Sequence, residues 1–142
     1  MSNKRKRIAE MVVPHHGQKL DPHYLGYFDC FNRQLFYEAH EVLENLWLKD
    51  RYGPNGAYYK GLIQLAGAFV HLQKGRLRPA AALFKLARTN LDKYPPVHEH
   101  LNLQIMGEWI QKWLSDLERT HFSRNPMTDT SAPKLKLEGS TV

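Results

Sequence analysis

The sequence predicts an all-α domain, a compact antiparallel bundle or array of about five helices. Through most of residues 22–119, apolar side chains recur three and four positions apart, the spacing that keeps them on one helix face. Clusters of turn residues at 50–56, 74–76 and 94–96 interrupt that pattern at intervals suited to helical hairpins. An apolar fraction of 42% in 142 residues supplies one core and no more, so a single domain is expected.

Residues 1–14 are polar, basic and unpatterned, and are expected to form a mobile, disordered arm. Lys4, Arg5, Lys6 and Arg7 against Glu10 give this arm half of the formal net charge of +6. The pI near 9.5 is therefore largely a property of the arm. The body, residues 15–121, is nearly neutral, which argues against a nucleic-acid partner. After KRKR the chain reads IAEMVVPHHG, too short and too interrupted by Glu10 for the apolar region of a signal peptide. No run approaches the ~20 apolar residues of a membrane span. Cys30 is the one cysteine, so no intrachain disulfide can form and a reducing compartment is expected. These features point to a soluble, cytoplasmic protein with no membrane partner, and a homo-oligomer is left open.

Asp21-Pro22 opens the first helix, with Asp21 as N-cap and Pro22 at the position where a missing N–H costs nothing. Tyr24, Tyr27, Phe28, Phe31 and Leu35 form its stripe, and a turn is expected at Asn32-Arg33. The second helix, about 36–49, reads FYEAHEVLENLWLK and ends in the turn chemistry of 50–56. The third, about 57–73, is apolar on most sides and is expected to be the most buried. Gly67 in its interior costs ~1 kcal/mol against Ala, so close approach or open space is expected there. Gly75 suits a left-handed helix end. The fourth helix runs over about 77–93 until Tyr94-Pro95-Pro96, and Asn102 is the expected N-cap of a fifth reaching Arg119. From 122 to 142 the chain is rich in Ser, Thr, Pro and Lys and is expected to be disordered. A faint internal likeness, offset by 41 residues, relates 32–43 to 73–84 as two turn-plus-helix units.

The chemistry concentrates in the second helix. His40, Glu44 and Trp47 share one face at helical spacing. If the second and third helices form an antiparallel hairpin about 50–56, Glu44 faces Gln64, His40 faces Gly67 and Ala68, and His71 falls near Tyr37, one turn from His40. Two imidazoles and a carboxylate suit Zn²⁺ or a similar divalent metal. That reading makes His40, Glu44 and His71 metal ligands, with Gln64, Trp47, Tyr37 and Gly67 lining the site. It allows a metal-dependent hydrolase in which Glu41 is the candidate base. The competing reading is a buried hydrogen-bond network inside a non-enzymatic helical interaction module.

Sharper motifs are absent. HEVLE begins like HExxH but places Glu44 where the second histidine belongs. Ser115 is the one serine of residues 15–121 and sits in no nucleophile elbow. Lys74, Arg76, Arg78, Lys85 and Arg88 form a basic edge without interleaved exposed aromatics, the pattern of a solvated face.

The segments FNRQLFYEAHEVLENLW, YYKGLIQLAGAFVHLQKG and AAALFKLA resemble successive blocks of a prokaryotic family catalogued as domain of unknown function 309. Its hallmark, HxxxExx(W/Y), is matched by His40, Glu44 and Trp47, and the likeness spans roughly residues 27–91. The resemblance implies a compact all-helical fold and a suggested metal-binding role for the motif. Gln34 departs from it, standing in a turn where the family more often has glycine.

Overall fold

The computed structural model describes residues 3–16, 20–128 and 131–138. Among them, six α-helices follow in order: α1 (Asn3–Val12), α2 (Pro22–Asn32), α3 (Phe36–Asp50), α4 (Gly56–Gln73), α5 (Leu77–Leu91) and α6 (Leu103–Arg119). A 3-10 turn, Val13–His15, follows α1, and a two-stranded hairpin of β1 (Val97–His98) and β2 (Leu101–Asn102) precedes α6. The all-α architecture is as expected, and its five helices are α2 to α6.

Local chemistry sets the helix ends. Asp21 accepts from the His23 N–H at 2.8 Å and Asn102 from the Ile105 N–H at 3.0 Å, so both expected N-caps are formed. The ends of α2 and α4 repeat each other at the offset of 41. Gln34 N–H donates to Phe31 C=O and Leu35 N–H to Cys30 C=O, while Gly75 N–H donates to Leu72 C=O and Arg76 N–H to His71 C=O. Both are Schellman caps, which need a left-handed residue. Gly75 supplies it at φ +70°, whereas Gln34 adopts φ +62° with a full side chain.

Helix α4 is the centre of the bundle. Its Phe69 ring meets Phe31 and Phe36 on one side and Phe84, Trp109 and Trp113 on the other, at centroid distances of 5.1–5.6 Å. A second aromatic cluster closes the far end. Tyr24 and Tyr58 share a hydroxyl–hydroxyl hydrogen bond of 2.6 Å, and the Tyr24 hydroxyl also reaches the Glu99 carbonyl at 2.6 Å. Burial pushes both phenols well above the ordinary tyrosine range, with the partner phenol adding to the effect at Tyr24. Glu99 and His100 form the tight turn of the β hairpin, both at positive φ. That turn usually advertises itself by Asn-Gly, and Glu-His hides it from sequence reading.

Both ends of the chain carry structure where sequence reading expected none. Within residues 1–14, α1 buries Ile8 and Val12 at 3% exposure each against α2 and α3. The overlooked signal is the spacing Lys4, Arg7, Ile8, Met11, Val12, a helical face interrupted only by charge. Within 122–142, residues 131–138 have no helix or strand yet pack on the body. Asn32 donates to the Leu135 carbonyl at 2.7 Å and accepts from its N–H at 2.6 Å. Residues 1–2, 17–19, 129–130 and 139–142 lie outside the described residues.

Candidate functional site

Helix α3 presents the motif on its outer face. His40 Nε2 and Glu44 Oε2 lie 3.2 Å apart, one turn from each other on the helix, each side chain 30% exposed. The Tyr37 ring packs beside His40 at 5.7 Å, and Tyr37 itself is 52% exposed. Trp47 lies under two cations, Lys60 Nζ at 4.6 Å and the Arg51 guanidinium at 5.7 Å from its ring centroid. Cations over an indole face are attracted by its quadrupole. The expected buried polar centre is thus a half-exposed surface stripe. A histidine and a carboxylate placed i, i+4 satisfy each other at the surface and need no interior.

The buried charge is Glu41, at 2% exposure the one buried charged side chain among the described residues. It sits beneath α1, where Arg7 donates to Glu41 Oε1. Lys4 Nζ donates to Glu44 Oε1 at 3.2 Å and lies 4.0 Å from Glu41 Oε2. The basic arm therefore closes over Glu41 and Glu44 as a folded lid. Its cations account for both carboxylates, and Ile8 and Val12 anchor it through apolar contact.

The other half of the expected site turns elsewhere. The antiparallel pairing of α3 and α4 is present: Trp47 meets Lys60 near the turn, and Phe36 stacks on Phe69 at 5.2 Å toward the open end. What differs is the rotation of α4 about its axis. Gln64 accepts from Asn90 of α5 at 2.8 Å. A Cβ at Gly67 would come within 3.0 Å of Leu83, and one at Gly61 within 3.0 Å of Leu91. The small-residue stripe of α4 therefore receives α5, so Gln64 and Gly67 do not line a site with His40. Sequence spacing fixes which residues share a face, but not which neighbour that face meets.

His71 joins none of the hydrogen bonds or ion pairs found for His40 and Glu44 among the described residues. Its Nδ1 is buried without a hydrogen-bond partner. Partial burial, then the nearby Arg76 and Lys74 cations, holds its pKa below the ordinary histidine value. Among the described residues, no group of three or more His, Cys, Asp or Glu side chains is arranged to hold a metal ion. A zinc centre needs three protein ligands converging at ~2 Å from the ion. His40 and Glu44 are bonded to each other, Glu44 is shared with Lys4, and His71 does not join them, so the expected ligand set does not fit a zinc ion in this arrangement. Glu41, the candidate base, is enclosed by Arg7.

The basic edge is partly engaged within the molecule: Arg88 donates to Gln111 of α6, and the Arg78 guanidinium covers the Phe122 ring at 4.5 Å. Cys30 is 1% exposed, its Sγ 3.7 Å from Met11 Sδ of α1, and burial followed by the neighbouring Asp29 pushes its thiol up to about 11. Among the described residues, no helix is long and apolar enough to cross a membrane.

Residues 24–83 match the family described as Domain of unknown function (DUF309). The chain thus resembles that family from α2 to the first half of α5, a stretch that includes α3 and its motif and leaves α1 outside. No curated protein and no solved structure matches the chain.

Proposed function

We propose that this protein is a non-enzymatic helical interaction module whose α3 motif face receives a basic amphipathic helix. In this chain α1 fills that position, and a partner helix of the same chemistry competes for it. The observation that carries the reading is the pairing of buried Glu41 with Arg7 beneath a lid anchored by Ile8 and Val12. A carboxylate removed from water needs a partner to offset its desolvation, and here the partner comes from a separate, short helix. Tyr37 and Leu48 of α3 and Tyr52 in the turn that follows it, exposed at 52, 52 and 90%, add apolar surface open to contact.

The competing reading, a divalent-metal-binding protein or metal-dependent hydrolase, has one observation in its favour, the His40–Glu44 pair on an accessible face. It requires a third ligand to move in and Lys4 to move out.

One experiment separates the two. A Lys4→Glu/Arg7→Glu variant is titrated with a peptide spanning residues 3–12. The interaction reading expects saturable binding that weakens with salt, as screened ion pairs do. Folded variant that ignores the peptide, together with near-stoichiometric zinc in tag-free protein by elemental analysis, would replace it with the metal reading.

A further inference from the structure

A groove of about 550 Å³ opens on the side of the molecule formed by α6 and residues 134–138. Its first wall is one face of α6, with Ile105 and Trp109 four apart and Met106 beside them, continued by Leu101 of β2. The second wall is the extended tail segment, whose Leu135 and Leu137 alternate with Lys134 and Lys136. Leu137 is buried, whereas Lys134 and Lys136 are exposed at the rim. The segment is fastened at two points, by Asn32 to Leu135 and by the Glu138 N–H to the His100 carbonyl at 2.6 Å.

The dimensions limit the occupant. The volume falls within the ~300–1,000 Å³ of small-molecule sites. From Ile105 to Trp109 the α6 wall rises about 6 Å at 1.5 Å per residue, and Leu101 of β2 and Leu135 of the tail extend the apolar lining beyond it. The floor includes Ile105, 61% exposed although it stands in an apolar slot. Charge sets the polarity of the head group. Among the described residues no ion pair engages Lys134 or Lys136, and the one acid on the lining, Glu138, accepts from Asn102 Nδ2 at 3.1 Å.

We infer that this groove binds a medium-chain fatty carboxylate. The alkyl chain lies along Ile105, Met106 and Trp109 beneath Leu135, and the carboxylate meets Lys134 and Lys136. This site is separate from the α3 face and stands or falls independently of it.

Trp109 makes the test direct. The full chain is titrated with dodecanoate below its micellar concentration, following tryptophan fluorescence, beside decanoate and the neutral dodecanol. The expected result is saturable one-to-one binding, about fourfold tighter for each added methylene, and weaker for dodecanol. Lys134→Glu/Lys136→Glu should weaken dodecanoate about tenfold with little change for dodecanol. Ile105→Glu, at an exposed position, should keep the melting temperature and lose binding. Trp109→Phe should lose the fluorescence change while calorimetry still detects binding. Three outcomes overturn the proposal: no saturation, equal affinity for acid and alcohol, or full binding by folded Ile105→Glu, which would mean an adventitious additive only. Displacement of dodecanoate by an acidic amphipathic peptide that binds more tightly would instead assign the groove to a protein segment.

Discussion

Arg7 of α1 donates to Glu41 of α3 across 34 residues of chain, and the carboxylate it reaches is nearly sealed from water while the guanidinium is about half exposed. The two partners are therefore unequal. Removing Arg7 strands a buried charge, whereas removing the charge of Glu41 leaves a cation that water solvates. Arg7→Ala should destabilise by about 3 kcal/mol and Glu41→Gln by about 1 kcal/mol. Urea denaturation of the two variants checks the asymmetry, and equal losses would mean that the carboxylate is less enclosed than described.

The Schellman cap of α2 contains a correctable strain. Gln34 holds φ +62°, where a Cβ crowds the backbone. Its counterpart one repeat later is Gly75 at φ +70°. Gln34→Gly should therefore stabilise by about 0.5–1 kcal/mol, the relief of left-handed strain exceeding the added chain entropy. Thermal unfolding measures this as a rise in Tm, and a fall would show that the Gln34 side chain supports the turn.

Phe69 holds the two halves of the core together. It is fully buried and in ring contact with α2, α3, α5 and α6. Phe69→Ala should cost about 3–5 kcal/mol through lost burial and the cavity left behind. That is a large share of a domain's ~5–15 kcal/mol, so the variant should melt far below the parent. Phe69→Leu should lose about half as much.

The tyrosine cluster predicts alkaline sensitivity. Burial raises the pKa of Tyr24, Tyr27 and Tyr58 above the free value of 10.0. A phenol raised in the fold favours the folded state while it keeps its proton. Its contribution is complete below about pH 10 and is lost as pH rises toward the folded value. The denaturation midpoint should be insensitive to these groups below about pH 9 and fall above pH 10, less steeply in Tyr58→Phe. Appearance of tyrosinate absorbance from all three residues before unfolding would contradict this.

Cys30 reports on the lid. Its sulfur is covered partly by Met11 of α1, and burial suppresses its thiolate. In native protein at neutral pH it should react with a thiol reagent at least tenfold more slowly than in denaturant. Lys4→Glu/Arg7→Glu should recover much of that reactivity while far-UV circular dichroism keeps the signal of α2 to α6.

Much of the fold was legible because helix periodicity and caps are local. Asp21, Asn102 and Gly75 act where they stand in the sequence, and their structural roles follow from residue type. The pairing of His40 with Glu44 is local too, and it formed. The placement of Gln64 and Gly67 was not local: whether that stripe meets α3 or α5 depends on how α4 is rotated, which the whole bundle decides. The lid was missed because its apolar stripe is short and begins inside a basic run. Lys4 and Arg7 read as solvated charge until Glu44 and Glu41 stand beneath them. The hairpin at 97–102 was missed because Glu99 and His100 occupy a turn in which glycine or asparagine is the usual signal.

Helix α1 is held on the motif face by the pairing of Arg7 with buried Glu41. A double-mutant cycle on Arg7→Ala and Glu41→Gln, read by urea denaturation, tests it most directly. A coupling of about 1–3 kcal/mol is expected, with the double variant more stable than Arg7→Ala alone because no stranded carboxylate remains. Additive losses, with coupling below about 0.3 kcal/mol, would mean that α1 does not depend on Glu41 and would contradict the claim.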